Sequence, residues 1–237
     1  MNIPKKILVA IDFNELAAAA LRVAADLAQR TGGSIVLLYA DRFEAPAEFS
    51  SPQMPRIAKV IDASRRHAKE ELERCAARHI PIGIEHQSMI IDALPIGAIT
   101  SYAETHEIDL IAMGTHGRGA IQRMFLGSVA EAVMRKTQTP LLTVHDPTRV
   151  RPIERVACTP GARDYGIALA RQVGAGLRVI GVEDAIAGCD CDVLIIEEAI
   201  HGSHHIIRHS RVPVITLPDN RKSVNVEKPT ETHELQH

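Results

Sequence analysis

The chain has 237 residues, of which 46% are hydrophobic and 24% charged, so it can bury a full core as one large domain or two small ones. A formal net charge of -2 at pH 7 and 3% aromatic residues leave neither the basic stripe nor the stacking rings of a nucleic-acid-binding surface. The opening MNIPKKILVAIDF has too short an apolar run before Asp12 for a signal-peptide core or membrane span, so no membrane partner is expected and the chain reads as cytoplasmic.

In chain order, KILVAI (6–11) is a continuous apolar run of the kind shown by a strand covered on both faces, and SIVLLYA (34–40) is another. Between them Leu16, Ala20, Val23 and Leu27 recur at helical spacing, and Gly32-Gly33 closes the helix. FEAPAEFSSPQMPR (43–56), with prolines at 46, 52 and 55, is predicted to be a loop, followed by a charged amphipathic helix over 57–80. IGIEHQSM (82–89) is a weaker third strand, and Asp92 is predicted to cap a helix running to about His106. DLIAM (109–113) and PLLTV (140–144) complete the set. The alternation predicts an α/β fold: a Rossmann-like, open, parallel five-stranded sheet with helices on both faces. Such a sheet binds ligands beyond the carboxyl ends of strands one and four, where the winding reverses.

The second half is a shortened echo of the first. ERVACT matches KILVAID, RDYGIALARQVGAG matches the first helix with its glycine stop, LRVIGVED matches IVLLYAD, CDVLIIEE matches DLIAMG, and VPVITLPD matches TPLLTVHD. Nothing stands for the second helix, third strand and third helix. The expected organisation is therefore a complete first domain over 1–147, a degenerate shortened repeat over 152–219, and a polar tail over 220–237 expected to be disordered. In the second unit Glu197-Glu198 replace Gly114, Thr159 replaces Asp12, and Gly202-Ser203 alone survive of the glycine loop, so two carboxylates would repel a phosphate there.

The informative stretch is GTHGRGAIQRMFLGS (114–128), which joins strand four to the helix VAEAVMRKT. Glycines at 114 and 117 let the main chain approach a ligand, Gly127 exposes its amide, and Ser128 adds a hydroxyl at a helix amino-terminus suited to an anion. Arg118 and Arg123 could neutralise charge or simply be solvated. The pattern G-x2-G-x9-G-[S/T] carried by Gly114, Gly117, Gly127 and Ser128, with ILVAID at the start and DLIAMGTHGRG before the loop, resembles the universal stress protein family through nearly all of 5–146. That resemblance implies ATP or AMP binding, with Mg²⁺ as an optional companion, and association through the last strand. It implies that Asp12 lies near the ribose, that Ala10, Ile11, Ala40 and Met113 border the adenine, and that Gly114, Gly117, Gly127, Ser128 and Val129 hold ribose and phosphates. Asp12 has an alternative use as a cap of the first helix, and Met113 as core packing.

The expectation is one working adenine-nucleotide site in a stress-response or regulatory protein, with a regulatory protein partner that reads the ordered loop. No general base is aimed at a γ-phosphate, so turnover is expected to be slow or absent. Two other classes stay open: a slow ATP hydrolase or self-phosphorylating protein, with Ser128 or Thr115 as acceptor and Asp12 or His116 assisting, and a nucleotide-free dimerisation module. The two fifth strands are expected to cover each other as an intrachain pseudo-dimer, with a homodimer as a further option.

Three signals are set aside. HELQH at the end matches H-E-x-x-H in letters, but it lies in a polar tail without a third ligand. His201, His205 and His209 share one helical face without a carboxylate or cysteine at ligand spacing, so no metal residue is assigned. Cys75, Cys158, Cys189 and Cys191 show neither C-x-x-C nor metal-site spacing, which fits a reducing compartment.

Overall fold

A computed structural model describes residues 3–42, 54–115, 127–199 and 202–219. The apolar runs become strands β1 (Lys6–Ala10) and β2 (Ser34–Ala40), linked by α1 (Glu15–Thr31). Asn14 caps α1, its side chain accepting the Ala17 amide at 2.7 Å, and Gly32 ends it in the left-handed region at φ 64°. The buried face of α1 is mostly alanine, which lets the helix lie close over the sheet. α2 (Met54–His79) begins within the predicted 43–56 loop, three residues before the expected start, with Pro55 in its first turn, where a missing N–H costs no helical bond.

Two further boundaries move. β3 is His86–Ile91, not 82–89, because residues 81–84 form a turn in which Gly83 takes φ 98° and the Ile84 amide reaches Pro81 O. Asp92 is not the cap of the next helix. α3 (Pro95–Thr105) starts one residue after Leu94, since Pro95 supplies a preset φ for a first turn, and the Asp92 carboxylate instead takes the Arg65 guanidinium from α2. β4 (Leu110–Gly114), α4 (Ser128–Lys136) and β5 (Leu141–Val144) complete the first half.

The second half contains β6 (Arg155–Cys158), α5 (Arg163–Val173), β7 (Gly176–Val179), α6 (Val182–Ala187), β8 (Val193–Glu197), α7 (Ser203–His209) and β9 (Val214–Leu217). The nine strands among the described residues join one sheet in the order β3-β2-β1-β4-β5-β9-β8-β6-β7. Every pairing is parallel except β5 with β9, where Leu141, Leu142 and Thr143 lie opposite Thr216, Ile215 and Val214. One apolar layer holds α1, α2 and α5 against the sheet, and the other holds α3, α4, α6 and α7. Polar ties join the halves on the first face: Arg30 Nη1 donates to Val173 O at 2.9 Å, and the Ile153 amide donates to Asp26 Oδ2 at 3.1 Å.

The same hydrogen bonds recur in both halves. Asp109 Oδ2 accepts the amides of Lys5 and Lys6, and Asp192 Oδ2 accepts those of Glu154 and Arg155. Ser34 N–H donates to Lys5 O, as Gly176 N–H does to Glu154 O, each just after a left-handed glycine that ends a helix, Gly32 or Gly174. Counting forward from Lys5 and Glu154, Thr159 stands at the place of Ala10, and Gly161 at that of Asp12. The expected match of Thr159 with Asp12 is therefore corrected by two residues, because strand register rather than letter similarity sets the correspondence.

Asp192 is buried, and its loss would strand two amides at the start of β6. Burial opposes its ionisation, but the side-chain bond from Arg155 and the amides of Glu154 and Arg155 together hold its carboxyl below the ordinary value. Asp192→Ala is expected to lower stability by about 2 kcal/mol through those two amides. Since the folded pKa lies below the unfolded one, the carboxylate's contribution is complete above roughly pH 4 and is lost as pH falls through the folded pKa. Urea midpoints at pH 7 and pH 3 check this. The gap between wild type and variant should narrow at the lower pH.

Candidate functional site

β1 runs into α1 on one face of the sheet, and β4 runs towards α4 on the other, so their carboxyl ends border the crevice where the winding reverses. β1 delivers Ala10, Ile11 and Asp12 to this point, β2 delivers Ala40, and β4 delivers Met113 and Gly114. Ile11 and Met113 are buried, the former donating its amide to Leu38 O at 2.9 Å, while Ala10, Asp12, Ala40 and Gly114 are partly exposed. Gly117 and Arg118, with His116, Gly119 and Arg123, lie outside the described residues.

Glycine at 114 is required by space. A Cβ there would lie 2.7 Å from Leu16 Cβ and 3.1 Å from the Leu16 carbonyl carbon, so β4 passes directly beneath the start of α1. Asp12 does not cap that helix. Its carboxylate accepts the Asn14 amide at 3.2 Å and Asn14 Nδ2 at 2.9 Å, steadying the residue that does. Between them Phe13 sits at φ 63°, rare for a bulky side chain, with its ring against Tyr39 at 4.9 Å between centroids. Sequence patterns carried no signal for Phe13, Asn14 or Tyr39 here; only the short link of residues 11–14 between strand and helix hinted at a constrained turn.

The Gly127 amide donates to Thr115 O at 2.6 Å, a neck that ties the start of α4 to the end of β4. Gly127 thus spends its amide on Thr115 rather than presenting the free amide expected of it. The amides of Ser128, Val129 and Ala130 in the first turn of α4 have no intrahelical acceptor, and the N-cap residue Gly127 supplies no side-chain cap. This helix start, with its partial positive charge, lies beside the end of β4 through the Gly127–Thr115 hydrogen bond. Thr115 is buried, and its hydroxyl donates to Val144 O at 3.3 Å and lies 3.2 Å from His145 Nδ1, so it braces the neck and is not presented as a phosphate acceptor. Ser128 is exposed at the helix start. What the crevice offers is a close backbone, a few apolar walls and an uncapped helix end, which is the equipment to hold an anionic ligand.

A sequence model described as the Universal stress protein family matches residues 4–145. The chain belongs to the universal stress protein family. It is 26% identical over 152 residues to Universal stress protein MJ0531 of Methanocaldococcus jannaschii, an alignment spanning 62% of this chain and 86% of that one. Among solved structures it resembles universal stress protein UspA from Lactobacillus plantarum, at 26% identity and TM-score 0.52, over 60% of this chain and 99% of that chain. A universal stress protein from Archaeoglobus fulgidus superposes over 90% of this chain and 96% of its own, with TM-score 0.61 and 16% identity, a likeness of fold alone.

The corresponding place in the second half is filled from within. Glu197 ends β8 where Gly114 ends β4, and its carboxylate accepts the Thr159 hydroxyl. A Cβ on Gly161 would fall 1.6 Å from Glu197 Oε1, so the carboxylate occupies that space. Ser203, at the start of α7, is buried and donates its hydroxyl to Glu198 O at 3.1 Å. On α7 the rings of His205 and His209 stack at 4.1 Å, and His201 lies outside the described residues. Among the described residues no group of three or more His, Cys, Asp or Glu side chains could hold a metal ion. No described helix is long and apolar enough to cross a membrane.

Proposed function

We propose that this chain binds one adenine nucleotide, ATP or AMP, at the carboxyl ends of β1 and β4, and acts as a stress-response or regulatory protein through the state of the 116–126 segment. The observation that carries the reading is the cradle itself. Gly114 lies so close to α1 that no side chain fits, and the Gly127–Thr115 hydrogen bond brings the start of α4, with the amides of Ser128, Val129 and Ala130, beside the same strand end. The base would rest against Ile11, Ala40 and Met113, with Asp12 towards the ribose and Gly117 and Arg118 completing the phosphate side. Membership of the universal stress protein family supports the same assignment.

In this reading the second half is a reduced copy of the first, kept for structure. The repeated Asp109 and Asp192 anchors support common descent, α5 has 11 residues against 17 in α1, and Glu197 fills the space at Thr159 and Gly161, the counterparts of Ala10 and Asp12, where a base and ribose would have to go. One site per chain follows.

Nucleotide released by denaturing the purified protein should be identified by mass spectrometry as ATP or AMP, and titration calorimetry should give one site per chain. Added at a hundredfold excess over its dissociation constant, ATP should stabilise the fold by about 2.7 kcal/mol, raising the melting temperature. Gly127→Val, which puts a branched side chain over the α4 amides, should abolish that rise while the unliganded protein still melts cooperatively. An unmoved melting curve in the wild type, with and without Mg²⁺, overturns the reading.

A further inference from the structure

Outside the crevice, two cysteines meet at the turn before β8. Cys189 and Cys191 are separated by one residue, and their Sγ atoms are 2.6 Å apart, well inside ordinary non-bonded contact of two sulfurs. The backbone is bent to achieve this: Gly188 takes φ 95°, and the Cys191 amide folds back to Cys189 O at 3.2 Å. The bend is then clamped. Asp190 and Asp192, on either side of Cys191, both bind the Arg155 guanidinium at the start of β6. Cys191 is buried, whereas Cys189 is partly exposed on the wall of a cavity of about 420 Å³ shared with His209, Ser210 and Arg211.

We propose that Cys189 and Cys191 form a redox site, in which hydrogen peroxide converts the dithiol to an intrachain disulfide. Cys189 faces the cavity and attacks; Cys191 resolves. The Cys189 thiolate attacks one peroxide oxygen, the O–O bond breaks, and the departing hydroxide is protonated to water, leaving a sulfenic acid. The Cys191 sulfur then attacks the Cys189 sulfur and expels hydroxide, which takes the Cys191 proton as a second water. Two thiols and one peroxide become one disulfide and two waters, and the two electrons pass from sulfur to oxygen. A small dithiol reverses the change.

The electrostatics agree with this division of labour. The hydrogen bond from Cys191 is the largest influence on Cys189 and, with help from Arg178 and against burial and Asp190, lowers its thiol to about 7. The same bond, together with burial, pushes the Cys191 thiol up. Cys75 and Cys158 contrast with Cys189: burial foremost raises both of their thiols. The fixed bend supplies the proximity that a mobile pair would lack. The site is independent of the nucleotide crevice, so neither assignment stands or falls with the other.

The full chain is treated at pH 7 with one equivalent of hydrogen peroxide and read by intact mass and peptide mapping. The expected product is lighter by two hydrogens, with the loss confined to the peptide containing Cys189 and Cys191 and reversed by dithiothreitol. Before oxidation Cys189 should alkylate with iodoacetamide about tenfold faster than Cys75 or Cys158. In Cys191→Ser, Cys189 should stop at the sulfenic acid and be trapped by dimedone. If that variant does not fold, Cys189→Ala serves: its buried Cys191 should then remain unoxidised. Cys189 and Cys191 both still alkylating after peroxide, or a disulfide mapped to other cysteines or between chains, overturns the proposal.

Discussion

Removal of residues 150–237 is expected to turn the remaining chain into a homodimer or an aggregate. β5 is buried along its whole length, with Leu141, Leu142, Thr143 and Val144 all at 2% exposure or less, and it owes one side of that cover to β9. Without β9 the apolar edge has unpaired N–H and C=O groups, which template pairing with another chain. The polar ties of α1 to Val173 and Ile153 are lost at the same cut. Because β5 and β9 run antiparallel, a second copy's β5 could take the vacated place across a two-fold axis, satisfying both edges at once. Light scattering against concentration reads the result. A fragment that stays a soluble monomer at high concentration shows that β9 is not what keeps the edge of β5 from associating.

Gly114→Val is expected to lower both stability and binding. Its Cβ alone would lie 2.7 Å from Leu16 Cβ and 3.2 Å from the Ala17 amide nitrogen, and the first of these is a contact that real Cβ atoms essentially never show. Two further methyl groups must be accommodated by lifting the start of α1 off β4, which carries Asn14, Phe13 and Asp12 with it. Overpacking of this kind costs about 3 kcal/mol. The same shift widens the crevice between the ends of β1 and β4, so ATP affinity should fall by more than tenfold. Denaturant midpoints of the unliganded protein and calorimetry of the liganded one separate the two effects. A variant with an unchanged midpoint would show that α1 does not sit where the contact places it.

The strands were legible because a strand covered on both faces must be apolar at every position: KILVAI and SIVLLYA announce β1 and β2 without any partner being known. The glycine spacing from Gly114 to Gly127 was legible for a similar reason, since only glycine tolerates the close approach found at 114. The positions of β3 and α3 were less so, as the Pro81–Gly83 turn and the preset φ of Pro95 each outrank the hydrophobic pattern over a few residues.

What no pattern along the chain contained is what depends on partners distant in sequence. That Asp12 steadies Asn14 rather than capping α1 follows from a turn that puts Phe13 at positive φ. That Gly127 spends its amide on Thr115 follows from the start of α4 meeting the end of β4. Glu197 appeared in the sequence as a repelling charge, yet in the fold it binds Thr159 and fills the space over Gly161. Cys189 and Cys191, which match no spacing rule, meet because Arg155 holds both flanking carboxylates. Local periodicity and steric exclusion are properties of short stretches and so can be read from them; hydrogen-bond partners and enclosed space are created only when strands far apart in the chain come into register.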